Sequence, residues 1–158
     1  MKIIYMHHAE RNISEYHNDP DKRQVEDITE KGIQEAQLIA EKLKGTKVTA
    51  IYTSPYIRCL HTAEIVNSHL QAPIYKEERF NEKKKDEEWK DLLTRNMEAI
   101  DDIVNKYNED DTIICVTSGV NVSAFICYFY NIPVSNEVPW SQGANCSLIN
   151  FYTNSNVD

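Results

Sequence analysis

The apolar run Lys2-Ile3-Ile4-Tyr5-Met6 stops abruptly at His7-His8-Ala9-Glu10-Arg11, which packs two imidazoles, a carboxylate and a guanidinium into five residues. A strand that ends this way delivers polar side chains to the carboxyl edge of a sheet, where open α/β folds build their sites. Two other places along the chain have matching character. Ser54-Pro55, with Arg58 one turn on, and Ser118-Gly119 each stand where a β-rich run gives way to a helical pattern. The free N–H groups of a helix start suit a phosphate. All three strand ends are expected to open at the same edge of one sheet.

The elements that must position them follow from periodicity. After the first strand comes a polar stretch from 12 to 27, with Asn18-Asp19-Pro20-Asp21 as a turn signal; it is too polar for core and long enough for a functional loop. Thr29 reads as an N-cap, Ile33, Ala36, Ala40 and Leu43 share one helical face, and Gly45 closes the helix. Val48 to Thr53 is a short strand. Ser54-Pro55 reads as an N-cap with proline in the first helical position, and Ile57, Leu60, Ala63 and Leu70 as the buried face beyond it.

Ile74-Tyr75 is a brief strand, and the charged segment from Asn81 to Glu88 leads into a long helix with Trp89, Leu93, Ile100, Val104 and Tyr107 on one side. Thr112 to Thr117 is a continuous apolar strand of the buried, parallel kind. The helix after Ser118-Gly119 carries Phe125, Ile126, Phe129 and Tyr130. Pro133 and Pro139 punctuate a loop before a last strand from Cys146 to Tyr152. Strands alternating with helices predict an α/β three-layer sandwich, its mainly parallel central sheet flanked by helices.

Composition bounds the function. A chain of 158 residues fits one domain, 1–158, with a single sizeable core. A net charge of −8 argues against nucleic-acid binding, so an anionic ligand must be held by a local positive pocket. No apolar run is long enough to span a membrane and no signal-peptide layout opens the chain, so a cytoplasmic protein is expected. Cys59, Cys115, Cys127 and Cys146 have neither metal-ligand nor redox-motif spacing and read as buried free thiols. His17 and His69 have no partner spacing, His61 reads as structural, and no metal is expected.

In order along the chain, these segments resemble the histidine phosphatase superfamily, the phosphoglycerate mutase-like fold. His7-His8-Ala9-Glu10 stands where that family opens with Arg-His-Gly-Glu. Ile28-Thr29-Glu30-Lys31-Gly32-Ile33-Gln34-Glu35-Ala36 is similar to its Leu-Thr-x-x-Gly-x-x-Gln-Ala helix start. Thr53-Ser54-Pro55-Tyr56-Ile57-Arg58-Cys59-Leu60-His61-Thr62-Ala63 matches Ser-Ser-Pro-x-x-Arg-Ala-x-x-Thr-Ala, the most specific block. Asn145-Cys146-Ser147 matches the closing Asn-x-Ser strand.

The resemblance implies catalysis without a metal or cofactor. His8 would attack a phosphoryl group and become a phosphohistidine, with Arg58 as phosphate clamp and Glu82 as proton donor. Phosphoryl transfer is mostly positioning plus cationic stabilisation of spread negative charge, which suits this set. Two positions depart from the family pattern: His7 replaces an arginine and Ser118 replaces the second histidine. Imidazole offers one donor and partial charge where guanidinium offers a permanently charged fork, and serine brings no charge. Arg11 and Asn121 are the neighbours placed to compensate.

Two readings follow. One is a weak or atypical phosphatase working through His8 on a phosphorylated small molecule or phosphoprotein. Its activity would rise as pH falls towards about 6 if His7 serves as the cation. The other is a pseudophosphatase that binds phosphate or a phosphorylated partner without turnover. Phosphoglycerate mutase activity is disfavoured by the missing charges and the short chain, and nothing in the sequence fixes the oligomeric state.

Overall fold

The computed structural model describes residues 1–134 and 145–153. Five strands, β1 (Lys2–His7), β2 (Ala50–Thr53), β3 (Ile74–Lys76), β4 (Thr112–Thr117) and β5 (Leu148–Tyr152), form one sheet in the order β3-β2-β4-β1-β5. All neighbours are parallel except β5, which runs antiparallel to β1 at the edge. Four helices flank it: α1 (Glu30–Leu43), α2 (Ile57–Val66), α3 (Trp89–Lys106) and α4 (Gly119–Phe129). The α/β sandwich with a mainly parallel sheet is therefore as expected.

Strand alternation builds the two cores. Ile4 and Met6 of β1, with Ile114 and Val116 of β4, join Ala36, Cys59, Ala63 and Val66 on the α1/α2 side. Ile3, Tyr5, Ile113 and Cys115 point the other way, to Ala99, Ile100, Ile103, Val122 and Phe125 on the α3/α4 side. Side chains on a strand alternate faces, so the same rule sends consecutive residues at the end of β1 to opposite layers.

Helix starts and ends follow their local signals. The Thr29 hydroxyl accepts from the Gly32 amide at 2.9 Å, and Gly45 lies just past α1 with a φ of 81°, the left-handed region that favours glycine. The start of α2 differs from expectation. The helix begins at Ile57 behind Tyr56, and Ser54 does not cap it. Its hydroxyl oxygen accepts from the Tyr56 amide at 3.3 Å, one residue ahead of the helix, and its proton goes to Asn81 Oδ1 at 2.6 Å. Ile57 then turns outward and is exposed rather than core.

On α3 the fully buried line is Leu92, Asn96, Ala99, Ile100 and Ile103, while Trp89, Leu93, Val104 and Tyr107 border it half-buried. Asn96 can lie in that core because Tyr5 donates to it and its amide reaches the Leu92 carbonyl. Ile126, Phe129 and Tyr130 of α4 are exposed, with Phe125 alone of the expected aromatic set in the core. The last strand begins at Leu148, two residues later than Cys146, which has a φ of 57° that no strand tolerates. Pro133 follows α4 in an irregular stretch, and Pro139 lies outside the described residues.

Candidate active site

The turn leaving β1 is tied on every side. The His8 amide donates to the Thr117 carbonyl at 3.0 Å, and the Ala9 amide to the Thr62 hydroxyl at 3.0 Å. The Glu10 amide donates to Glu35, while Thr29 returns its amide and hydroxyl to the Glu10 carbonyl and carboxylate. Each main partner belongs to a segment singled out above: β4, the Thr62-Ala63 end of the Arg58 block, and the start of α1. These bonds hold the two histidines to fixed directions.

His7, the odd residue, leans on the α4 layer. A Cβ at Gly119 would come within 2.7 Å of its Cε1 and 2.9 Å of its Nε2, so the first residue of α4 has to be glycine for the ring to sit there. His8, the even residue, turns to α2. Its Nδ1 lies 2.7 Å from the Ala9 carbonyl, and its Nε2 lies 3.1 Å from Arg58 Nε. A carbonyl demands a proton on Nδ1 and an arginine N–H demands a lone pair on Nε2, so the two contacts fix one neutral tautomer. Burial first, then the nearby His7 and Arg58, holds the imidazole well below its ordinary value.

Arg58 is fully buried with each nitrogen engaged. Nε meets His8, Nη1 donates to the Arg23 carbonyl at 2.8 Å, and Nη2 donates to Glu82 Oε2 at 2.8 Å. The neighbouring Cys59 thiol is pushed up to about 12 by burial, partly offset by Arg58, and is inert at neutral pH. Glu82 thus reaches the centre of the site despite its charged neighbours in sequence.

Its backbone is held from beneath. Asn121 donates to the Phe80 and Asn81 carbonyls at 3.2 and 3.0 Å, and the Thr117 hydroxyl also reaches the Phe80 carbonyl. Arg95 donates to the Arg79 and Glu82 carbonyls and pairs with Glu87.

Seven residues were expected at the site. The structure brings His7, His8, Glu82 and Arg11 together around a cavity of about 140 Å³, which Glu10, Arg23, Gly119 and Asn145 also line, with Arg58 directly behind Glu82. Arg11 pairs with the buried Glu26, which also accepts from Ser14, and so anchors the polar loop. Ser118 and Asn121 turn elsewhere. Ser118 caps α4 and gives its proton to Asn121 Oδ1 at 2.8 Å, while the Asn121 amide goes to the 80–81 backbone. Both are occupied in holding the segment that carries Glu82.

Arg23 escaped the sequence reading. It sits in a short 3-10 turn, Arg23–Val25, within the polar loop, and places Nε 2.8 Å and Nη2 2.6 Å from the two Glu82 oxygens. The one signal for it was the loop itself. A larger groove of about 460 Å³, lined by Trp89, Leu93, Tyr128 and Ile132 among others, has no histidine, arginine or carboxylate among its described lining. Phosphoryl chemistry has no foothold there.

The site and the sheet together define an α/β protein whose candidate site is built around a strand-end histidine. The family model for the histidine phosphatase superfamily, branch 1, matches residues 8–85 and 82–156, and the chain belongs to that superfamily. No curated protein matches the sequence. Among solved structures it is similar to YhfR of Bacillus stearothermophilus, with 25% identity and a TM-score of 0.81 over 98% of this chain and 92% of that one. A mycobacterial glucosyl-3-phosphoglycerate phosphatase superposes with a TM-score of 0.78 at 16% identity, covering 94% and 88% of the two chains. The putative phosphohistidine phosphatase SixA from Agrobacterium tumefaciens gives 0.64 at 14% identity, covering 94% and 88%. The last two share the fold.

Proposed function

We propose that this protein is an atypical, metal-independent phosphatase that hydrolyses a phosphorylated small molecule or phosphoprotein through a phosphohistidine on His8. The observation that carries the reading is the fixed neutral tautomer of His8, whose Nε2 lone pair points towards Arg58 beside the cavity. A neutral imidazole is a nucleophile at the pH where phosphomonoesters are dianions. Nε2 gives up its hydrogen bond from Arg58 Nε and attacks phosphorus, the bond to the leaving oxygen breaks, and that oxygen takes a proton from protonated Glu82. Water then attacks the phosphohistidine, returns a proton to Glu82 and releases inorganic phosphate. Arg58 stabilises the equatorial oxygens throughout.

Incoming phosphate must first displace Glu82 from Arg58, since the two are paired at 2.8 Å. The exchange leaves the carboxylate beside the pocket, where it takes up a proton from solvent before giving it to the leaving oxygen. A dianion is a stronger partner for guanidinium than a carboxylate, so the exchange is downhill for the right ligand.

A second reading has its own observation. Position 7 offers an imidazole where the family motif has a guanidinium, and the Ser118 hydroxyl proton is spent on Asn121. Each transition-state donor lost elsewhere costs on the order of 10²–10³ in rate. A chain short of two such donors would bind phosphate or a phosphorylated partner and turn nothing over.

One experiment separates the two. Phosphate release is measured from a panel of phosphomonoesters and a phosphohistidine peptide, from acidic to neutral pH, for the native protein and His8→Ala. Turnover by the native protein alone, with acid-labile phosphate trapped on His8, is the result expected. Equal silence from both, with phosphate binding that Arg58→Ala abolishes, would establish the binding protein instead.

A further inference from the structure

Glu82 Oε2 receives two hydrogen bonds of the same length: Arg58 Nη2 at 2.8 Å and Arg23 Nε at 2.8 Å. One anionic oxygen therefore already sits between two guanidiniums at the mouth of the candidate pocket. Resting on the phosphate-pocket reading above, we propose that Arg23 is the second guanidinium of the phosphate clamp, held in place by Glu82 until a phosphoryl oxygen takes the carboxylate's position.

Three features favour a clamp over a simple surface pair. Arg23 lines the same cavity as His7, His8 and Glu82, and its side chain is 15% exposed. Its orientation is set independently of Glu82. Nη1 donates to the His17 carbonyl at 2.8 Å, which directs the Nε and Nη2 edge at the carboxylate as a fork. That fork is the geometry guanidinium uses on carboxylate or phosphate alike.

The Arg23 carbonyl also accepts from Arg58 Nη1, so the two arginines are locked together through backbone as well as through their shared anion. The loop thus supplies, from outside the strand-end motif, the guanidinium that position 7 lacks. Glu82 is then an internal placeholder. It keeps two guanidiniums from repelling one another in the empty pocket and leaves when a better anion arrives.

The test is calorimetric titration of inorganic phosphate into the native protein and into Glu82→Gln, Arg23→Gln, Arg23→Lys, Arg58→Ala and the Glu82→Gln/Arg23→Gln pair. Removing the placeholder carboxylate should leave phosphate affinity equal to or tighter than native. Adding Arg23→Gln in that background should then weaken it about tenfold or more, the usual worth of a charged hydrogen bond. Arg23→Lys keeps the charge without the fork and should fall between native and Arg23→Gln.

The double variant matters because a role confined to holding Glu82 vanishes once Glu82 is neutral. Equal phosphate affinity for Glu82→Gln and the double variant would overturn the clamp. If Arg58→Ala abolishes binding while neither Arg23 variant changes it, this inference alone fails. A native protein that binds no phosphate removes the pocket reading and the clamp together.

Discussion

At the scale of single residues, His8, the proposed nucleophile, also carries a stability cost. Its imidazole is buried and neutral, held well below the ordinary value of about 6.5 by burial, His7 and Arg58. In the unfolded chain the same residue binds a proton as pH falls through about 6.5. Between that value and the depressed native one, the unfolded state holds more protons, so stability rises with pH across this window. The contribution is intact above about 6.5 and is lost progressively in acid. The expected outcome is that the native protein's thermal midpoint falls more steeply between pH 7 and 5 than that of His8→Asn. Parallel pH profiles would mean that His8 titrates alike in both states. On the proposed mechanism the two readouts are separable, because the variant would have no turnover at any pH.

His8, Arg58 and Glu82 are legible in the sequence because motif order and spacing carry them, and in the structure Arg58 touches both of the others. Arg23 is not legible. Its partner Glu82 is 59 residues away, and neither residue belongs to a periodic pattern. Ser118 and Asn121 were placed in the right neighbourhood, but their hydrogen bonds run to each other and to the 80–81 backbone. Side-chain direction at a helix start depends on what comes up beneath it from elsewhere, and that is a tertiary fact.

At the scale of elements, α1 comes nearest the backbone of the strand-end turn at one glycine. A Cβ at Gly32 would lie 2.3 Å from the Glu10 carbonyl oxygen and 3.1 Å from its amide nitrogen, both backbone atoms. Neither can rotate away. The Thr29 amide bond to the same carbonyl depends on that approach, as does the pairing of Arg11 with Ile28.

Gly32→Ala is therefore expected to cost about 1–3 kcal/mol, as overpacking does, despite alanine's better helix propensity. It should also cut turnover, since the turn it displaces carries His8. Urea unfolding measures the first and phosphate release the second. A neutral or stabilising effect would mean that α1 slides outward without disturbing the turn. The helix patterns gave the existence of α1 and α3 readily. The core stripe of α3 was harder to place, because Asn96 reads as a surface residue until Tyr5 and Asn121 are seen to satisfy it.

At the scale of the whole molecule, a pocket whose arginines are each paired with a carboxylate sits in an anionic body. The net charge of −8 repels a phosphomonoester dianion over the Debye length, about 30 Å at 0.01 M salt and about 10 Å at 0.1 M. Inside the pocket, attraction acts over hydrogen-bond distances from groups such as Arg58, which is wholly buried and so poorly screened. Salt thus weakens the repulsion more than the attraction. Raising ionic strength from about 0.01 to about 0.1 M should raise kcat/KM for a small dianionic substrate, by roughly twofold if encounter limits the rate. A site fed by a basic surface would show the opposite slope. The charged run Lys83-Lys84-Lys85, which follows Glu82 directly in sequence, decides which case holds. If kcat/KM falls with salt, the three lysines steer substrate against the field of the whole protein. Their replacement by glutamine should then reverse the slope while leaving kcat unchanged, which stopped-flow measurements across ionic strength can read directly.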